Sequence, residues 1–170
     1  MHVHGWLAAG TIGARLALSL YIPGPGLPES SQAAAAAVIR TPLATSAPND
    51  FDQRRMLALV NSVRESHGLP PVVYHDKLMQ LAQDHAVYQS TNHVVTHVDT
   101  SGPIGDRVSQ LGLRWTVIAE NVGGGAATED AIMAAWAASP PHMANILQPN
   151  VNYMGIGVSH GYWVQDFAAL

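Results

Sequence analysis

The side chains available for chemistry in this 170-residue chain are histidines and carboxylates. The sequence has nine histidines and no cysteine, which excludes a disulfide framework, a thiolate nucleophile and any cysteine-ligated metal site. Neutral imidazole nitrogens suit Zn²⁺, and a carboxylate can complete or orient such a site. The chemistry open to the chain is therefore metal binding or acid–base catalysis by histidine and carboxylate.

Two local spacings resemble known kinds of site, but neither is complete. His93 and His97 are four residues apart, which would place both side chains on one face of a helix. No glutamate follows His93, and the three intervening residues are β-branched. Ser139 and His142 suggest a serine hydrolase, but no G-x-S-x-G turn surrounds the serine. The sequence therefore favours neither a zinc-binding helix nor a serine nucleophile.

Composition and charge narrow the class of protein. The hydrophobic fraction of 48% is enough for one domain with a core. The net charge is −4, and the eight lysines and arginines form no long run, so the chain lacks the basic patch that a nucleic-acid backbone requires. We therefore expect no nucleic-acid partner, and the sequence shows no basic amphipathic helix for a membrane surface.

The first fifty residues predict export rather than a folded unit. Arg15 supplies a basic residue, residues 16–22 a short apolar run, and the alanines at 33–37 several A-x-A cleavage sites. Arg15 and Pro23 interrupt the apolar stretch before the roughly 20 residues of a membrane span. An uncleaved anchor and a simple tail are the alternatives. We expect a leader over 1–37, a linker over 38–48 and a secreted, monomeric domain over 49–170.

Three helices are predicted from capping residues and apolar periodicity. The first begins at a capping box formed by Asp50 and Gln53 and ends at Gly68, because glycine adopts the left-handed conformation at little cost. Its apolar stripe is Met56, Leu59, Val60 and Val63. The other two helices are predicted from Asp76 to about Ser90 and from Thr128 to the pair Pro140-Pro141.

Three strands are predicted in the second half of the chain. They cover Trp115 to Val122, Tyr153 to Ser159 and Tyr162 to Phe167, and His160-Gly161 joins the last two as a hairpin. The glycines at 123–125 lack the lysine of a phosphate loop, and we expect them to form a flexible rim. Helices followed by antiparallel strands favour an α+β layered domain.

Several polar residues are expected to have structural roles. His85 lies on the apolar stripe of the second helix and is predicted to be a hydrogen-bonded core histidine. Asn121 and Asn145 are predicted to bond buried backbone groups, because an unpaired buried polar group costs about 1–3 kcal/mol. Asp106 and Arg107 are predicted to form a structural ion pair or to clamp a loop, rather than to act as a catalytic pair.

Segments found in order along the chain resemble one family. They are LVNSVRESHGL at 59–69, HVDTSGPIGDRV at 97–108, AENV at 119–122 and WAASPPHMANIL at 136–147, closed by GIGV at 155–158 and YWVQDF at 162–167. Together they resemble the bacterial branch of the CAP superfamily, also called SCP-like, which includes cysteine-rich secretory and plant pathogenesis-related proteins. The resemblance covers about residues 50 to 169.

The resemblance implies an α-β-α sandwich, in which helices cover both faces of a small antiparallel sheet. It also implies a cleft where two histidines and acidic residues meet and, in some relatives, hold a divalent metal such as zinc. By motif position, His97 corresponds to the first histidine, Glu120 to the glutamate of the ENI-type motif and His142 to the second histidine. The second glutamate of the family falls on Ser139, so three of the four cleft residues are present.

The resemblance leaves three roles open for Glu120. Glu120 would be a third metal ligand beside His97 and His142, or a partner that holds one imidazole from outside the metal shell, or the general base of an enzyme. The alternative to a metal site is that both histidines are structural groups around a polar cleft.

Three functions follow from the resemblance, and whether the protein is an enzyme is left open. The first is a secreted binding or effector module with a metal-binding cleft, acting on an apolar ligand such as a lipid or sterol, or on a host or other extracellular protein. The second is a metal-assisted extracellular hydrolase, and the third is a structural surface protein. Aromatic side chains would line a groove for an apolar ligand, although core packing is their commoner role. They are Trp115, Trp136, Trp163, Tyr153 and Tyr162.

Overall fold

A mixed sheet lies at the centre of the computed structural model, which describes residues 20–23 and 51–170. Its strands are β1 (Leu20–Pro23), β2 (Val73–Tyr74), β5 (Val117–Gly124), β6 (Tyr153–Ser159) and β7 (Tyr162–Ala169). They follow the order β1-β5-β7-β6-β2 across the sheet. Two short strands, β3 (Val98–Asp99) and β4 (Gly102–Pro103), form a separate antiparallel pair.

In the described part of the chain, five helices cover the two faces of this sheet. They are α1 (Gln53–Ser66), α2 (Asp76–Asn92), α3 (Ile104–Gln110), α4 (Glu129–Ala137) and α5 (Pro140–Ile146). Side chains from α1, α4 and α5 share one hydrophobic cluster with β5 and β7, while side chains from α2 and α3 share another. Alternate residues of a strand point to opposite faces, so each central strand feeds both clusters. The predicted α+β class and α-β-α sandwich are confirmed.

The packing of α2 on β6 depends on two glycines. A Cβ atom at Gly155 would overlap the backbone of Leu78, and one at Gly157 would overlap the backbone of Ala82. Both neighbours are backbone atoms of α2, so they cannot turn aside as a flexible side chain would. The GIGV segment therefore allows the helix to lie directly against the sheet.

The start of α1 differs from the prediction. Asp52, and not Asp50, is the N-cap, and its carboxylate accepts hydrogen bonds from the backbone N–H of Arg54 at 2.9 Å and of Arg55 at 3.1 Å. Asp50 lies outside the described residues. The predicted end is confirmed, because Gly68 follows the helix with φ of 72°.

The prolines after α4 begin a helix that the sequence analysis did not predict. Thr128 caps α4 as expected, accepting a hydrogen bond from the backbone of Ala131 at 3.3 Å. Pro140 then opens α5, since proline at the first helical position lacks only an N–H that would have no partner. The pair Pro140-Pro141 therefore ends one helix and starts the next.

Three other features correct the predicted secondary structure. The short helix α3 and the pair β3–β4 were not predicted, and β2 pairs with β6 in parallel, so the sheet is mixed rather than purely antiparallel. Gly123 and Gly124 belong to the buried strand β5 instead of forming a flexible rim, and Gly125 makes the turn with φ of 89°.

Part of the predicted leader is described and forms an edge strand. Leu20–Pro23 pairs antiparallel with β5. The remainder of the predicted leader and the linker lie outside the described residues, so a cleaved leader stays a prediction. Within residues 20–23 and 51–170, no helix combines the length and apolar character needed to cross a membrane.

The Gly157→Ala substitution should destabilise the domain by at least about 2 kcal/mol, because the added methyl group meets backbone and forces α2 away from β6. Urea unfolding monitored by circular dichroism measures the change. Gly124→Ala is the matched control, since its Cβ would meet only side chains of Val95 and Tyr162 and should cost less. Equal losses in the two variants would contradict this account of the α2–β6 contact.

Candidate functional site

His97 and Glu120 are joined by a hydrogen bond in the interior. His97 lies just before β3, and Glu120 lies on β5 with a fully buried side chain. The distance between His97 Nδ1 and Glu120 Oε1 is 2.8 Å, and an ionised carboxylate only accepts, so Nδ1 carries the proton and donates. His97 Nε2 is buried and has no hydrogen-bond partner among the described residues. In the neutral ring, the bond to Glu120 therefore fixes the tautomer of His97 and leaves a lone pair on Nε2.

Arg107 on α3 binds the other oxygen of Glu120. Its Nη2 donates to Glu120 Oε2 at 2.6 Å and to the backbone carbonyl of His97 at 3.2 Å. Its Nε lies 3.6 Å from Asp99 Oδ2. The predicted ion pair with Asp106 is wrong, because Asp106 is exposed while the Arg107 guanidinium turns inward. Helix α3 thus supplies the cation that neutralises the buried carboxylate.

Glu120 is ionised despite its burial. Burial by itself raises the pKa of this carboxyl group, but the hydrogen bond from His97 and the positive charge of Arg107 oppose that effect. The balance holds the pKa of Glu120 below its usual value. Both carboxylate oxygens are therefore charged and already bound to neighbours.

Asp166 is a second buried carboxyl group that the sequence analysis missed. It lies directly opposite Glu120 in the pairing of β5 with β7 and is fully buried. Burial, and then the negative charge of Glu120, raise the pKa of Asp166 well above its usual value. The signal was present in the YWVQDF segment, where an acidic residue stands between the inward-facing Val164 and Ala168.

The charged residues continue toward α2. His85 Nδ1 is 2.9 Å from Asp99 Oδ2, and its Nε2 lies 2.7 Å from the carbonyl oxygen of Thr96. This confirms that His85 is a hydrogen-bonded core histidine. We refer to His85, Asp99, Arg107, Glu120 and His97 as the charge network, in which each member contacts the next.

His142 lies on α5 and is held through a different set of contacts. Its Nδ1 is 2.7 Å from Ser139 Oγ, and its backbone carbonyl accepts a hydrogen bond from Asn121 Nδ2 at 3.2 Å. Asn145 Nδ2 donates to the carbonyl of Glu120 at 3.0 Å. The predicted backbone bonds of Asn121 and Asn145 are confirmed. Because Glu120 and Asn121 are consecutive on β5, their side chains point to opposite faces, and α5 packs on the Asn121 face.

The contact between Ser139 and His142 is local. Ser139 occupies the N-cap position of α5 and His142 lies within the first turn, so the helix itself brings the two side chains together. Such a pair resembles a nucleophile and its base in distance only. The contact lies at the start of the short helix α5.

The donor set fits one part of the expected metal site. His97 Nε2 fits a ligand, because its opposite ring nitrogen is held by a carboxylate, as is usual for metal-binding histidines. Glu120 does not fit a ligand, because both of its oxygens are bound by His97 and Arg107. No group of three or more histidine and acidic side chains able to hold a metal occurs in the described part of the chain. Of the three roles left open for Glu120, the geometry favours a partner outside the metal shell.

Replacing Arg107 with methionine should destabilise the domain by about 3–5 kcal/mol, because it leaves Glu120 buried without its counter-charge. Arg55→Met is the matched control. Arg55 also lies 2.6 Å from a carboxylate, that of Asp130, but its side chain is 53% exposed, so water screens the pair and its loss should cost far less than the loss of Arg107. Urea unfolding at neutral pH measures both. Similar costs in the two variants would show that Glu120 does not depend on Arg107.

Replacing Asp166 with asparagine should change how stability depends on pH. In wild type the folded state keeps a proton on Asp166 at pH values where the unfolded chain has lost it, so the contribution of Asp166 to stability falls as pH rises above about 3.9. Asparagine keeps the shape without the titration. The unfolding free energy of the variant, relative to that of wild type, should therefore rise by up to about 1.4 kcal/mol per pH unit above about pH 3.9.

Urea unfolding of both proteins between about pH 4 and about pH 8 provides the test. Asp84→Asn, at an exposed position of α2, is the control and should follow wild type throughout. Parallel stability curves for wild type and Asp166→Asn would contradict a neutral, buried Asp166.

Solved structures share the fold. An extracellular protein containing an SCP domain from Bacillus anthracis str. Ames superposes with a TM-score of 0.68 at 23% identity, over 77% of this chain and 45% of that one. An outer surface protein of Borrelia burgdorferi gives a TM-score of 0.62 at 17% identity, over 68% of this chain and 90% of that one. At these identities the likeness shows the fold alone, and both proteins carry extracellular or surface descriptions.

A curated relative matches at the level of sequence. The protein YkwD of Bacillus subtilis strain 168 is 28% identical over 133 residues, which are 75% of this chain and 52% of YkwD. A membrane protein of the same strain, YlbC, is 24% identical over 116 residues, 68% of this chain and 34% of YlbC. The chain therefore spans about half or less of the length of these curated relatives.

A family model covers the region that contains the site. The model described as CAP, the cysteine-rich secretory protein family, matches residues 57–167. That range is well over half of the 170 residues and includes His97, Glu120 and His142. The chain therefore belongs to the CAP, or cysteine-rich secretory protein, family.

Proposed function

We propose that this protein is secreted and acts as an extracellular binding module, with a recognition site next to His97 rather than a catalytic centre. The extracellular and surface descriptions of its structural neighbours support the location, together with the leader predicted from the sequence. The observation that carries the proposal is the closed environment of Glu120, which has no exposed surface and whose two oxygens are both bound by neighbours.

The closed environment of Glu120 argues against the hydrolase alternative. A general base must reach the proton it removes, directly or through one water molecule. Both Glu120 oxygens are bound by the chain itself, and the neighbouring groups lower its pKa, which makes it a weaker base. Glu120 is better suited to holding His97 and α3 in place than to activating water.

His97 supports the metal part of the proposal. A divalent cation such as Zn²⁺ would bind through His97 Nε2, with Glu120 holding the opposite nitrogen. The family resemblance offers His142 as a second ligand, but α5 carries it on the opposite face of β5, so we expect the cation to bind His97 without it. The metal would add a positively charged centre for an oxygen or nitrogen group of a partner. Because the described residues present no three-ligand group, we expect weak binding.

The apolar-ligand alternative has less support. Trp136 and Trp163, two of the five aromatic residues considered for a groove, are buried in the core at 0% and 2% exposure. Trp115, Tyr153 and Tyr162 are only partly buried and do not by themselves define a cleft. A purely structural surface protein is the third candidate, and it predicts no ligand at His97.

Zinc should stabilise the full chain through His97. A ligand that binds only the folded state adds about 2.7 kcal/mol when it exceeds its Kd a hundredfold, so even a weak site raises the melting temperature at high zinc concentration. We expect this rise in wild type and in His142→Ala, and its loss in His97→Ala. Differential scanning calorimetry with and without zinc, followed by a return to baseline with chelator, measures it.

His67→Ala is the control, because His67 is an exposed histidine after α1 and its loss should leave the zinc effect intact. An unchanged zinc effect in His97→Ala would remove His97 from the site. Zinc-dependent cleavage of a labelled protein substrate, abolished by Glu120→Gln while zinc binding persists, would replace the binding module with the hydrolase.

A further inference from the structure

Asp166 occupies the middle of a row of three residues that crosses the sheet. Strand pairing places Glu120 of β5 on one side of it and Gly155 of β6 on the other. Residues paired in this way share one face of the sheet, with Cβ atoms about 4.5–5.5 Å apart. Gly155 has no side chain, and the backbone of Leu78 in α2 closes the space next to it. Glu120 is therefore the polar side chain that Asp166 meets along this row.

The burial of Asp166 without a donor requires a proton on its carboxyl group. Neither carboxyl oxygen accepts a hydrogen bond from any residue that the structure describes. Arg107 directs its Nη2 to Glu120 instead, and its Nε and Nη1 make no hydrogen bond within that part of the chain. A buried charge without hydrogen bonds is very costly, so the neutral form of Asp166 is strongly favoured. Burial and the charge of Glu120 raise the pKa of Asp166 in the same sense.

The proton of Asp166 needs an acceptor, and Glu120 can supply one. An ionised carboxylate offers about four lone-pair positions, and the hydrogen bonds from His97 and Arg107 occupy only two of them. A hydrogen bond between the two carboxyl groups is also among the causes that raise the pKa of Asp166. Each donor stabilises the charge of Glu120 and makes it a weaker acceptor for the others. Asp166 and His97 therefore compete for the same negative charge.

We propose that Asp166 is a positioning residue of the His97 site, which donates a hydrogen bond to Glu120 and thereby limits how strongly Glu120 holds His97. This role rests on the proposed cation-binding function of His97. A carboxylate partner makes a metal-binding imidazole more basic, so weakening that partner lowers the affinity of His97 Nε2 for a cation. Asp166 thus adjusts the site through Glu120.

The two forms of Asp166 predict opposite effects on a bound cation. An ionised Asp166 would attract the cation, so every neutral replacement would weaken binding. A protonated Asp166 has no charge to lose. Asp166→Asn keeps a donor toward Glu120 and should bind as wild type does. Asp166→Val has a side chain of similar size without a donor, so it should strengthen the contact of Glu120 with His97.

Proton NMR of the metal-free, full-length protein tests the effect on His97 directly. The resonance of the proton on His97 Nδ1, identified by its absence in His97→Ala, should move to higher frequency in Asp166→Val, because its hydrogen bond to Glu120 becomes stronger. It should keep its wild-type position in Asp166→Asn. His85 is the internal reference, since its Nδ1 contacts Asp99 and not Glu120, and its resonance should not move.

Calorimetric titration with zinc measures the consequence for binding. We expect the Kd of Asp166→Val to be a few fold lower than that of wild type, a smaller change than the roughly 10–100-fold effect of altering a direct outer-shell partner. The Kd of Asp166→Asn should equal that of wild type. Removing a buried acidic residue would then strengthen the binding of a cation.

Val164→Ala is the matched control for changes in packing. Val164 lies two residues before Asp166 on the same face of β7 and is fully buried, but it pairs with Val122 rather than with Glu120. The loss of its methyl groups should leave the His97 resonance and the zinc affinity unchanged. If Asp166→Val lacks the wild-type circular dichroism spectrum, Asp166→Ala replaces it with the same expectations.

The proposal is overturned if the His97 resonance stays in place in a folded variant without the donor, or if Asp166→Asn moves it equally far. Weaker zinc binding in both Asp166 variants also overturns it, because that result identifies an ionised Asp166. The NMR comparison needs no metal. A wild type that does not bind zinc would therefore remove the proposed function, while the resonance would still decide the contact of Asp166 with Glu120.

Discussion

The contact between Arg107 and Glu120 is the interaction on which the candidate site depends. Transferring a carboxylate from water into a protein interior costs several kcal/mol unless a counter-charge and hydrogen bonds replace the water. Arg107 supplies that counter-charge at 2.6 Å and also holds the backbone of His97. One ion pair therefore fixes three things: the position of α3 on the sheet, the charge of Glu120 and the path of the chain at His97.

The same ion pair accounts for the neutral state of Asp166. The two carboxyl groups belong to residues that are paired across neighbouring strands. Two negative charges on such a pair, buried away from water, would repel strongly. Arg107 is bound to Glu120, so Glu120 keeps the charge and Asp166 takes the proton. The interior holds one ionised and one neutral carboxyl group, an asymmetry set by which of them Arg107 binds.

Patterns within a few residues predicted the helices and strands. The candidate site instead depends on contacts between residues that are far apart in the sequence. The apolar stripe of α1, its terminal Gly68 and the threonine cap of α4 are determined within a few residues, and the sequence showed them. The partner of Arg107 is not local: the sequence predicts a pair with the neighbouring Asp106, whereas the fold brings Glu120 to the guanidinium. Asp166 was missed for the same reason, because its environment comes from β5, 46 residues earlier (166 − 120). The family resemblance supplied His97 and Glu120 correctly as neighbours, which spacing alone did not.

Strand β5 connects all of these features, because its side chains point to both faces of the sheet and its backbone pairs at the edge. Glu120 points to the face of α3 and holds His97, while Asn121 points to the face of α5 and binds the carbonyl of His142. Its backbone edge, in the plane of the sheet, pairs with Leu20–Pro23. A change at that edge does not need to pass through a flexible loop to reach the site, since the backbone of Glu120 belongs to both. Glu120 therefore belongs both to the backbone ladder with β1 and to the hydrogen bond that orients His97.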